Sequence, residues 1–212
     1  MSTADSLTQS RQKAYGYWYI DGIFELSCGS FFLFLGIFLI MENLAQGTWM
    51  AILADILLIV IVIGGSFVMR WLVRKWKERI TFPRTGYVSY SRKKRSARIL
   101  GSGLIILATL AMMFGLFHFL GFPLVSWALF TGILLGIGLF LIGWRTRLKR
   151  FLLHAGLSAV LGIGLTFCAP DNQVGLSVFY IVMGLLLLTS GLVYLLKYLR
   201  HHPKTPEAPD GQ

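Results

Sequence analysis

Charge is what this sequence has least of. Only 14% of its 212 residues are Asp, Glu, Lys or Arg, while 56% are hydrophobic and the mean hydropathy is +0.69. A soluble domain of this length needs far more polar surface, so a water-solvated fold is excluded. The long apolar runs also lack a polar stripe, which excludes amphipathic helices packed on a watery exterior. They lack period-2 alternation over about ten residues, which excludes a membrane β-barrel. Lipid then leaves only α-helices for the backbone. The two cysteines, Cys28 and Cys168, give no disulfide framework and fall at different depths of the expected spans. No cleavable signal peptide is visible, because the N-terminal tail is polar and the first apolar run is long and leads into a second.

Chemistry-bearing motifs are missing as well. There is no phosphate-binding glycine loop ending in Lys-Ser/Thr, no His-Glu-x-x-His, no Cys-x-x-Cys and no Gly-x-Ser-x-Gly elbow. His201 and His202 form an isolated pair in a Pro-rich polar tail, which is no basis for a metal site. The loops are too short for a soluble catalytic domain. No cofactor and no metal are expected.

What remains is six apolar runs, each near the roughly 20 residues that a span needs. They run from about Trp18 to Met41, Trp49 to Met69, Ile99 to Leu120, Leu124 to Trp144, Phe151 to Ala169 and Leu176 to Leu196. The links Glu42–Thr48, Gly121–Pro123 and Pro170–Gln173 carry no Lys or Arg. All twenty basic residues lie on the other side: two in the N-tail, eleven from Arg70 to Arg98, four from Arg145 to Arg150 and three after the last span. An even number of spans with every cation on one face is a positive-inside pattern. Tyr17, Trp18, Tyr19, Trp49 and Trp144 stand at the expected interfaces. The expected fold is all-α: a six-transmembrane-helix bundle of three hairpins in the plasma (inner) membrane, with both termini cytoplasmic. Residues 1–14 read as a polar tail, 15–200 as one transmembrane domain with a cytoplasmic loop at 70–98, and 201–212 as a disordered tail. The net charge of +11 then reports topology and not nucleic-acid binding.

The loop at 70–98 is the most distinctive stretch. Trp71 and Trp76 alternate with cations, as in a helix end lying among headgroups. Pro83-Arg84-Thr85-Gly86 sits between Ile80, Phe82 and Tyr87, Val88, Tyr90, a pattern that predicts a small surface β-hairpin. Arg92, Lys93, Lys94 and Arg95 follow as four adjacent cations, readable as an orientation signal on anionic headgroups or as a docking site for an acidic partner or lipid. The stretches Tyr17-Trp18-Tyr19-Ile20-Asp21-Gly22-Ile23-Phe24-Glu25-Leu26 and Phe82-Pro83-Arg84-Thr85-Gly86-Tyr87-Val88 resemble those of small multi-pass membrane proteins of bacteria. That resemblance carries no activity with it and implies no catalytic or binding role.

Ionisable residues inside spans are functional candidates, because a charge there costs roughly 2.5–3.5 kcal/mol or more. Asp21 and Glu25 lie four apart on one face of the first span, and His154 is expected at their level in the fifth. Asp55 belongs to the outer half of the second span, too far along the membrane normal to join them. The plainer readings are an interfacial Asp21, solvated or paired with a loop Arg, a protonated Asp55 bonded to a neighbouring helix, and a His154 that bonds between helices. Small residues four apart, such as Gly132 and Gly136 or Ser158 and Gly162, fit close helix packing. Gly29 and Gly36 are spaced like Gly184 and Gly191, a match that apolar composition gives unaided.

Three functions fit these residues. The first is a non-enzymatic structural or accessory membrane component, in contact with lipid headgroups and with a second copy or another membrane protein. The second is a small transporter or channel using Asp21, Glu25, His154 and Asp55, which with six spans requires a dimer. The third and weakest is an intramembrane enzyme, for which Glu25 and His154 are the only acid–base pair.

Overall fold

The computed structural model describes residues 19–47, 49–81, 126–169 and 171–202, and all of its regular structure is helical. Five helices are present: α1 (Ile23–Leu44), α2 (Trp49–Ile80), α3 (Trp127–Thr146), α4 (Lys149–Cys168) and α5 (Asn172–His201). All five are long and apolar enough to cross a bilayer. They correspond to the first, second, fourth, fifth and sixth expected spans. The expected span Ile99–Leu120, the cations Arg92–Arg95 and both tails, apart from His201 and His202, lie outside the described residues. So does the expected β-hairpin beyond Thr81, whose first residue, Ile80, is the last residue of α2. At the other end of the chain, α5 runs on to His201.

Local chemistry sets the helix ends. Ser126 caps α3 by accepting from the Leu129 amide at 3.0 Å, and Asp171 caps α5 by accepting from the Val174 amide at 2.7 Å. Only Arg147 and Leu148 separate α3 from α4; Arg147 takes a left-handed φ of 57° to close that turn. Each helix is antiparallel to the next described one in these tight links, so the helices share two ends. The basic end gathers the start of α1, the ends of α2, α3 and α5, and the start of α4. The acidic end holds Glu42, Asp55 and Asp171.

The packing has two seams. Along the first, α1 lies against α5 over most of its length, and α2 leans on the other side of α1. Along the second, α3 lies against α4, and both touch α5. Water is absent between lipid-embedded helices, so contact depends on how closely the backbones approach. Three glycines of α1 and its cap, Gly22, Gly29 and Gly36, recur every seven residues and meet Gly191, Gly184 and Ser177, which recur every seven on α5. A Cβ on Gly29 would stand 2.7 Å from the Leu188 nitrogen and 2.8 Å from the Gly184 oxygen. One on Gly184 would stand 2.7 Å from the Leu33 nitrogen. The spacing shared by the first and last spans is therefore the two sides of one contact. Gly22 has a second reason to be glycine, its left-handed φ of 72° at the start of α1. In the other seam Gly132 touches the Ser158 carbonyl region, and the Ser158 hydroxyl donates to the Gly132 carbonyl at 2.8 Å. Ala128, Leu139, Phe151, Ala155, Phe179 and Met183 form the buried core where the seams meet.

Gly184→Ala and Gly29→Ala are each expected to destabilise the protein in mild detergent by about 1–3 kcal/mol, since backbone stands where the new methyl must go. Gly138→Ala, which opens into free space, is expected to change stability by less than about 0.5 kcal/mol. Equal unfolding midpoints for all three variants would refute the close seam.

Candidate functional site

Just before α1 the chain places Asp21, with Glu25 one turn further on, and both carboxylates are fully buried. Asp21 is satisfied on three sides. Its Oδ1 accepts from the Ile23 amide at 3.2 Å, which ties it to the first turn of α1. Its Oδ2 accepts from Lys77 Nζ at 2.5 Å and from Thr81 Oγ1 at 2.9 Å. Lys77 and Thr81 are both 1% exposed. Asp21 thus holds the last turn of α2 to the first turn of α1.

Glu25 reaches the other way. Its Oε1 lies 3.0 Å from Arg150 Nε, and its Oε2 accepts from Ser190 Oγ at 3.3 Å. The Arg150 guanidinium also donates to the Tyr19 carbonyl. It lies 3.9 Å from the Tyr194 ring centroid and 5.3 Å from that of Phe151. One ion pair therefore joins α1, α4 and α5. Tyr19, Phe24 and Phe151 close over it edge to face, with centroids 5.1 and 5.6 Å from Tyr19. A buried pair gains little net energy over apolar residues, yet losing one partner strands the other charge.

His154 lies one turn along α4 from Arg150, on the same face and buried. Neither ring nitrogen has a hydrogen-bond partner among the described residues, so His154 and Glu25 are not bonded to each other. The structure brings Asp21, Glu25 and His154 to one end of the bundle, with Asp21 paired to Lys77, and with Arg150 paired to Glu25 and one turn from His154. Asp55 is elsewhere. It is exposed near the start of α2, close to Glu42 of α1. Glu25 and Glu42 are separated by about 25 Å of helix at 1.5 Å per residue. Near Glu42 a cleft of about 560 Å³ opens at the acidic end, lined by Asn43, Gln46, Trp127, Asp171 and Gln173 among others. The Gln173 amide donates to Glu42 Oε1 at 3.4 Å and its carbonyl accepts from the Gln46 amide. Among the described residues no group of three His, Cys, Asp or Glu is arranged to hold a metal ion.

The acids stand out in the sequence because charge is rare inside spans, whereas Lys77 and Arg150 have the positions of orienting cations. A signal for Arg150 did exist: Arg150, His154 and Ser158 recur every four residues, a polar stripe on an apolar helix. Lys77 had no such mark, because its neighbours in sequence are equally polar.

Arg150→Leu is expected to cost roughly 3–5 kcal/mol of stability, since it leaves Glu25 buried without its cation. Lys77→Met should act likewise through Asp21. Unfolding in mild detergent measures both. Variants as stable as the parent would mean that these carboxylates are not held by the two cations.

Comparison of the chain with protein-family models, with curated proteins and with solved structures finds no match in any of the three.

Proposed function

We propose that this protein is a non-enzymatic structural or accessory component of the plasma (inner) membrane, crossing it six times with both termini cytoplasmic. The sixth crossing is supported by where the described helices end. The last turn of α2 meets Asp21 at the basic end, whereas α3 starts beside Glu42 and Asp171 at the acidic end. The sequence between these two points contains one apolar run of sufficient length for a crossing, Ile99–Leu120. The orientation is supported by the described Lys and Arg residues, which fall at the end where α2, α3 and α5 finish.

One observation carries the structural role: each buried carboxylate is matched by a cation from a different helix. Asp21 serves the contact of α1 with α2, and Glu25 the contact of α1 with α4 and α5. A transport path through Asp21, Glu25, His154 and Asp55 would need side chains that face one route. Here two are locked in ion pairs, and Asp55 lies at the opposite end of the helices, level with Glu42, which is about 25 Å from Glu25 along α1. Neither the cleft at the acidic end nor a groove between α1 and α2 is lined by Glu25, Arg150 or His154.

Two measurements test this reading. In a chain without native cysteines, Gln46→Cys should react with a membrane-impermeant maleimide on intact cells, and Arg79→Cys only after permeabilisation. The reverse pattern would overturn the orientation. Purified gently, the protein should migrate with a second membrane protein or with copies of itself. A solitary chain that catalyses gradient-driven uptake in vesicles, lost in Glu25→Gln at unchanged stability, would replace this reading with a transporter.

A further inference from the structure

The groove between α1 and α2 is lined by Ser27, Phe31 and Phe34 on one wall and by Ile61, Gly65, Val68 and Leu72 on the other, with a volume of about 340 Å³. We infer that it seats one acyl chain of an anionic glycerophospholipid from the leaflet at the basic end, with Lys75 and Arg79 receiving the headgroup phosphate.

Three observations support this occupant. The first is length. From Ile61 to Leu72 the α2 wall rises about 16 Å at 1.5 Å per residue, close to the ~15 Å of one leaflet's hydrocarbon. The groove runs towards the basic end, where Trp71 and Trp76 are exposed, as aromatic residues at a membrane interface are. The second is the lining, which is apolar but for two serine hydroxyls. The third is charge. Residues 61, 65, 68 and 72 form one stripe of α2, and at helical spacing that stripe continues into Lys75, Trp76 and Arg79. Arg79 is exposed, and the Lys75 ammonium lies 4.5 Å from the Trp71 ring centroid, at the level where a phosphate would sit. The apolar slot and its cationic mouth are thus on one face. Another helix, about 10 Å across with its side chains, is a poor fit to so narrow a slot and would bring no matching negative charge. Gly65 lets the Phe31 ring lie directly against α2 at the floor of the groove, where any larger side chain would displace that ring.

The test uses the full chain in nanodiscs of phosphatidylcholine containing a minor share of phosphatidylglycerol, released into mild detergent and weighed intact by native mass spectrometry. The parent protein should retain phosphatidylglycerol over phosphatidylcholine by on the order of tenfold, as expected for two cations facing one phosphate. Lys75→Gln with Arg79→Gln should abolish that preference without lowering the unfolding midpoint, because both side chains lie at the surface. Gly65→Leu should abolish retention of either lipid. Neutralising Arg92 to Arg95 should leave the retained lipid in place. Equal retention of the two lipids by the parent protein, a preference that follows Arg92–Arg95 instead of Lys75 and Arg79, or a lipid-free dimer sealed along this groove would each overturn the inference.

Discussion

A carboxylate buried among lipid-embedded helices must find a cation or give up its charge, and the start of α1 brings in two of them. That constraint organises the basic end of the molecule. Asp21 recruits Lys77 from α2 and Thr81 just beyond it; Glu25 recruits Arg150 from α4 and Ser190 from α5. Four of the five described helices are thereby joined through residues one turn apart on a single helix. The α3 helix is the exception, and it is held through its short turn to α4 and by the Ser158 hydrogen bond. Ion pairs contribute little net stability here, but they penalise every arrangement in which a partner is out of place. Their effect is to select this helix order over others.

Ion pairs at one end do not hold helices together along their length. That falls to the glycine contacts, which act by dispersion and backbone proximity in a solvent as apolar as the helices themselves. The period of seven on both α1 and α5 keeps the small residues facing each other along a slowly winding contact. It also leaves α1 close enough to α5 for Glu25 to reach Ser190. The two devices therefore reinforce each other, the seam fixing distance and the ion pairs fixing register.

Much of this was legible in the sequence, and what was not shares one cause. Apolar runs predict helices because lipid permits nothing else there, and five of the six expected spans are present as helices with shifts at their ends. The helix end read from Arg70 to Ile80 is present: α2 continues from Met69 to Ile80, and Lys77 there has a partner to reach. Asp21 and Glu25 stood out because charge is rare inside spans. Their partners did not, since Lys77 and Arg150 sit where cations are expected for topology. The glycines of α1 and α5 showed their spacing but not their meaning. Which helices touch is a tertiary fact, and residues more than 150 positions apart carry no local trace of it.

The central claim is that Glu25 and Arg150 act as one structural unit. A double-mutant cycle with Glu25→Leu and Arg150→Leu, read as unfolding free energy in mild detergent, tests it most directly. The double variant should recover most of what either single variant loses, with a coupling of about 2 kcal/mol or more. Additive losses would contradict the account, because they would mean that each residue is held by something other than its partner.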